Sequence, residues 1–190
     1  MIPAWNMAGV LPPIPPGQPG PSSDRSPYRV PLWEVVEQFS SSPNRIAILK
    51  GLLDYRTALH QLGLVSGFQW LDGSFMEDVE TQESRPPKDI DVVTYFYLPV
   101  GETQATLFAK AGNLFRNNHV KATYLVDAYP HVLGGPVNDR HVRQISYWYS
   151  MWSHRRDGIW KGFIQVDLDS QEDVDARQVL SVIQAGGATP

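Results

Sequence analysis

The 190-residue chain contains no cysteine. Disulfide frameworks, thiolate-ligated zinc and thiol nucleophiles are therefore excluded, and the composition suits a reducing compartment. No apolar run approaches the roughly 20 residues needed to span a bilayer. The start, MIPAWNMAGVLPP, has neither the basic first segment nor the long apolar centre of a signal peptide. The expectation is a cytoplasmic protein with no membrane partner. A basic excess is missing too: the formal net charge is -4, which argues against general polyanion binding and leaves room for a local basic groove. The five histidines show no metal-ligand spacing, and no internal repeat is present.

Proline, by contrast, is concentrated. Nine of the 16 prolines fall within the first 31 residues. Such density removes backbone donors and blocks helices, so residues 1–30 read as an extended arm, or alternatively as a disordered tail. The apolar residues Trp5, Val10, Leu11 and Ile14 favour an arm that lies across the domain or across a protein partner.

Residues 31–190 read as one domain, of a size that buries its own core. Leu32, Val35, Val36 and Phe39 repeat at helical spacing. A second helix is punctuated by Ser42 as cap, Pro43 at the first position and Gly63 at the exit. A short strand is expected near Phe68–Leu71, and another from about Ile90 to Leu98. Leu107 to Phe115 predicts a helix, and VKATYLVDAY, residues 120–129, a strand. Val142, Ile145, Trp148, Tyr149 and Trp152 predict a helix, residues 159–168 a strand, and 172–184 a closing helix. The order predicts an α/β or α+β domain.

The chemistry concentrates around WLDGSF and DIDVV. In a strand, Asp89 and Asp91 share one face. Two ionised carboxylates about 4 Å apart repel by about 4 kcal/mol at a partly buried site. Solvation, a retained proton or a divalent cation relieves that repulsion. Oxygen-only ligands favour Mg²⁺ or Mn²⁺. The plain alternative is the solvated end of a strand. Asp127 is a lone acid in an apolar, aromatic run. It either joins the pair on a neighbouring strand or pairs with Lys121 or an arginine. Gly73 and Ser74 lie just upstream, where glycine admits a phosphate to the backbone and the serine hydroxyl can contact it. Between them and Asp89 runs a 14-residue acidic insert, Phe75 to Lys88. Arg140, Arg143, Arg155, Arg156 and Lys161, interleaved with tryptophans and tyrosines, offer phosphate contacts and base stacking. Packing tryptophans with solvated arginines is the other reading.

Gly73-Ser74, the Asp89-Ile90-Asp91 pair and Asp127 resemble, in order, the motif elements of the polymerase-β-type nucleotidyltransferase superfamily. More closely, GVLPP, GFQWLDGSF, DIDVV, KATYLVDAY and YWYSMWSHRRDGIWKGF are similar to segments of a family of small bacterial proteins predicted to be nucleotidyltransferases. The resemblance implies a mixed sheet flanked by helices. It implies nucleotide phosphates at Gly73 and Ser74, catalytic metal ions at Asp89, Asp91 and Asp127, and Asp127 as base. The reaction implied is transfer of an NMP from an NTP to an RNA end, such as tRNA, or to a protein hydroxyl. A toxin–antitoxin or antiviral setting goes with it. Phe75, Met76 and Glu77 stand where small members of the superfamily often carry a small residue and an arginine. Two other readings use the same residues: a catalytically weak interaction protein, and a metal-dependent nuclease that leaves Gly73-Ser74 without a task.

Overall fold

The computed structural model describes residues 1–186; the last four residues lie outside them. A five-stranded mixed sheet carries helices on both faces. Its strands are β1 (Tyr28–Arg29), β2 (Gly67–Asp72), β3 (Ile90–Phe96), β4 (Val126–Val132) and β5 (Ile164–Asp167), in the spatial order β1-β5-β2-β3-β4. The helices are α1 (Leu32–Phe39), α2 (Pro43–Gln61), α3 (Val79–Glu83), α4 (Gln104–Ala111), α5 (Asn117–Tyr124), α6 (Asp139–Trp152) and α7 (Ser170–Gly186). The α/β arrangement agrees with the sequence expectation. No helix among the described residues is long and apolar enough to cross a membrane.

Local signals explain most of these elements. Leu32, Val35, Val36 and Phe39 are the buried stripe of α1. The Ser42 side chain accepts from Arg45 N at the start of α2, and Gly63 leaves it at φ 80°. Gly51, inside α2, is required for a different reason. A Cβ there would sit 1.9 Å from the Tyr124 carbonyl oxygen, so its absence lets α5 approach.

Each sheet face has its own core. Ile90 and Val92 of β3 and Val126 of the edge strand β4 face α1, α2, α5 and α7, with Leu49, Leu52, Leu71 and Ile164 in the same cluster. On the opposite face Trp70, Val93 and Tyr95 meet Trp148 and Trp152 of α6. Side chains alternate along a strand, so Asp89, Asp91, Asp127 and Tyr129 belong to the α6 face.

Two expected strands need correction. Residues 120–129 are not one strand. Asn117–Tyr124 is helical, Leu125 turns the chain at φ 58°, and the strand begins at Val126. The tertiary reason is α5 packing against α2, through the glycine at 51, which outweighs the β-forming composition of the run. The strand expected over 159–168 is regular only at Ile164–Asp167, where β2 offers a partner.

The N-terminal segment has little regular structure and is nonetheless part of the core. Ile2, Val10 and Leu11 are buried. The Gly162 N–H donates to the Leu11 carbonyl at 2.7 Å, and the Tyr28 hydroxyl to the Pro12 carbonyl at 2.5 Å. Leu11→Ala should therefore cost about 3 kcal/mol, read as a fall in Tm of about 6–12 °C for a chain of this size. A solvated tail would leave Tm unchanged.

Candidate functional site

Strand register builds the site. β2 runs antiparallel to β3 with Asp72 opposite Asp91. β4 runs parallel to β3 with Asp127 opposite Asp91. Three aspartates thus stand side by side on neighbouring strands, and Asp89 lies two residues before the middle one on the same face. The structure brings Asp89, Asp91 and Asp127 together. It adds Asp72, which the sequence reading passed over although it stands directly before Gly73.

The four carboxylates differ sharply in their partners. Lys121 bridges two of them, its Nζ lying 2.9 Å from Asp89 and 2.7 Å from Asp127. Asp127 also accepts from the Asn117 amide. Burial would raise its pKa, but these hydrogen bonds outweigh that and hold it below the ordinary value. Asp91 has no hydrogen-bond or ion-pair partner among the described residues. Burial first, then the charges of Asp127 and Asp89, push it up to about 6. Asp72 is buried and accepts from Lys161 Nζ at 2.9 Å; burial still pushes it up to about 7.

Gly73 sits against this row. It has φ 84°, and a Cβ on it would lie 1.9 Å from Asp91 Oδ2. Only glycine lets the chain turn there while Asp91 keeps its place. Ser74, half-buried, opens the turn Ser74–Met76, and its hydroxyl has no partner among the described residues.

The first half of the acidic insert, residues 75–80, packs into the domain, whereas residues 81–86 are exposed. Phe75, Met76 and Val79 are buried. Glu77 pairs with Lys161 at 2.8 Å, and Glu80 pairs with Arg45 at 2.7 Å. Arg45 is itself fully buried and donates to the carbonyls of Phe75 and Glu77, at 2.6 Å each. The N-terminal segment clasps the same loop: Trp5 Nε1 donates to the Met76 carbonyl, and Asp78 N to the Gly9 carbonyl. Asp78 caps α3. Glu77 and Glu80 are thus neutralised by internal cations and do not add free negative charge to the site.

The basic residues separate. Lys161 is only 5% exposed and lies between Asp72 and Glu77, so its ammonium holds the loop to the strand. Arg155 pairs with Asp157 and donates to the Ala8 carbonyl. Arg156 is exposed and has no partner among the described residues. A sequence signal for Lys161 existed: a lone lysine just before the apolar stretch GFIQV needs a buried counter-charge.

The fit of a divalent cation can be tested on these donors. Three carboxylates on one face, one of them unpartnered, are the right chemistry for Mg²⁺ or Mn²⁺. The arrangement as it stands is not a metal cage: no group of three or more His, Asp or Glu side chains among the described residues is set to hold an ion. Lys121 spans two of the three candidate ligands, so a cation binding all three must displace its ammonium.

The profile of a family of unknown function (DUF6932) matches residues 3–167. The chain belongs to that family. The match takes in the N-terminal clasp, the Gly73 turn, all four aspartates and Lys161, and it ends at β5. No curated protein and no solved structure matches the chain.

The raised carboxyls make stability depend on pH. An unfolded Asp72 titrates near 3.8 and the folded one near 7, so the folded state binds more protons between those values. Stability is then greatest on the acid side and declines as pH rises from about 4 to about 7; Asp91 adds in the same direction. Asp72→Asn should reduce that decline, measured by urea unfolding at several pH values. An unchanged slope would mean that Asp72 is ionised throughout.

Proposed function

We propose that this protein is a metal-dependent nucleotidyltransferase on a polymerase-β-type core, moving an NMP from an NTP to an RNA end or a protein hydroxyl. The observation that carries the reading is the register of Asp91 with Asp127, which sets three carboxylates in a row beside the Gly73–Ser74 turn.

The chain's own groups divide the work as follows. Asp89, Asp91 and Asp127 hold Mg²⁺ or Mn²⁺ once Lys121 has swung away; its side chain is 43% exposed and has room to move. The metal, when bound, supplies charge neutralisation for the triphosphate. Ser74 offers a free hydroxyl to a phosphate oxygen, and Gly73 lets the backbone approach. Arg156 is the free guanidinium for an outer phosphate. Asp127, the base that the resemblance implies, takes the acceptor's proton once Lys121 has left it. Lys161 and Arg45 hold the loop that follows Ser74.

A second reading has its own observation. Lys121 already neutralises Asp89 and Asp127, as it would in an interaction protein that keeps the fold and has no need of a metal.

Label transfer from each α-³²P NTP, with Mg²⁺ or Mn²⁺ and with tRNA and cell protein as acceptors, tests the proposal. Wild type should transfer label, and Asp91→Asn should lose at least about a hundredfold. Mn²⁺ binding, followed by electron paramagnetic resonance, separates the two readings without turnover. Lys121→Ala should bind Mn²⁺ more tightly than wild type, and Asp91→Asn less tightly. Absence of Mn²⁺ binding in all three, with no transfer, would favour the interaction protein.

A further inference from the structure

At the other end of the β3–β4 pair lies a cavity of about 440 Å³ that the aspartate row does not use. Phe96 and Val132 line it, each five residues beyond Asp91 and Asp127, so it sits about 16 Å along the strands from them. Its volume falls in the range of small-ligand sites. The cavity wraps the outer edge of β4, between α4 on one sheet face and α6 on the other.

The walls are aromatic on one side and polar on the other. Phe96 is buried at the back, while Phe108 remains 48% exposed at the mouth, with the Arg116 guanidinium 5.6 Å from its ring centroid. Arg140, in the first turn of α6, lines the cavity and has no partner among the described residues. His141 lines it as well, with its Nδ1 shielded from solvent and unpaired.

A third donor follows from the His131 tautomer. Trp148 Nε1 donates to His131 Nε2 at 2.8 Å, so that nitrogen carries the lone pair. Burial keeps the ring neutral, which leaves the proton on Nδ1. The Gln144 side-chain nitrogen is placed 2.7 Å from Nδ1; two N–H groups cannot bond each other, so the amide is turned over and its oxygen accepts from Nδ1. The Gln144 NH₂ is then turned away from the histidine and left to donate elsewhere. Among the described residues, no carboxylate lines the cavity.

We infer that this cavity binds a small organic anion with a flat aromatic body and one carboxylate, its ring against Phe96 and Phe108 and its charge on Arg140 and Gln144. An added β-strand is a poorer occupant of the β4 edge, because Pro130 removes a ladder donor at the middle of the strand. The inference is independent of nucleotidyl transfer, since it shares no residue with the aspartate row.

Calorimetric titration of the full chain with 2-naphthoate and 2-naphthylmethanol tests it. Arg140→Gln is the diagnostic variant. Arg143→Gln is the control, because Arg143 pairs with Asp139 and does not line the cavity. Wild type and Arg143→Gln should bind one naphthoate per chain. Binding should be about tenfold weaker for the alcohol, and for naphthoate on Arg140→Gln, the loss of one charge-assisted contact. Arg140 is exposed, so an unchanged Tm in the variant assigns the loss to binding. Equal affinity for acid and alcohol, equal affinity in Arg140→Gln, or no saturable binding would each overturn the inference. So would binding of an extended apolar hexapeptide in place of the naphthoate, which would point to strand addition.

Discussion

Carboxylates crowd one corner of this sheet, and the geometry around them depends on two lysines. Asp72, Asp91 and Asp127 stand side by side because three strands pair in register, and Asp89 and Glu77 close in from either end. Like charges this close and this dry would drive the strands apart or force protonation. Lys161 meets Asp72 and Glu77 from the buried side, and Lys121 meets Asp89 and Asp127 from the open side. The two are not equivalent. Lys161 is sealed in and fixes the loop, whereas Lys121 is partly solvated and can leave. Asp91, between them, is the one carboxylate that neither lysine bonds.

The same logic explains the long acidic insert and the proline-rich N-terminus together. A loop carrying Glu77, Asp78 and Glu80 beside an aspartate row is held down by cations supplied from elsewhere in the chain. Arg45 comes from α2 and Lys161 from the approach to β5. The first residues of the chain then cover the loop: Trp5 lies 5.3 Å from the Arg45 guanidinium and bonds the loop's backbone. Buried ion pairs of this kind add little net stability compared with an apolar core. What they fix is position, here that of Gly73 and Ser74 relative to Asp91.

The two ends of the β3–β4 pair have opposite chemistry on one frame. At the start of the strands the groups are acidic, and a cation suits them. At their far end the cavity is aromatic, with nitrogen-bearing side chains and no acid among the described residues that line it. Helix α6 contributes to the far end through Arg140 and Gln144, and its tryptophans cover the sheet face between the two ends. An aromatic layer runs from Tyr95 through His131 to Trp148 and Trp152 on that face.

Periodicity and punctuation in the sequence were enough to place α1, α2, α6, the strand after Asp89, and the shared face of Asp89 and Asp91, because each depends on residues within a few positions of one another. The sequence also marked Gly73-Ser74 and Asp127 as chemically unusual, and the N-terminal apolar residues as anchors. What it could not carry was pairing between distant segments. The turn at Leu125, the register that sets Asp72 and Asp127 on either side of Asp91, the burial of Lys161, and the second contact by which Lys121, already an expected partner of Asp127, also reaches Asp89 are all decided by which strands and helices pack together. Side-chain alternation says which face a carboxylate occupies; only the tertiary structure says what stands opposite it.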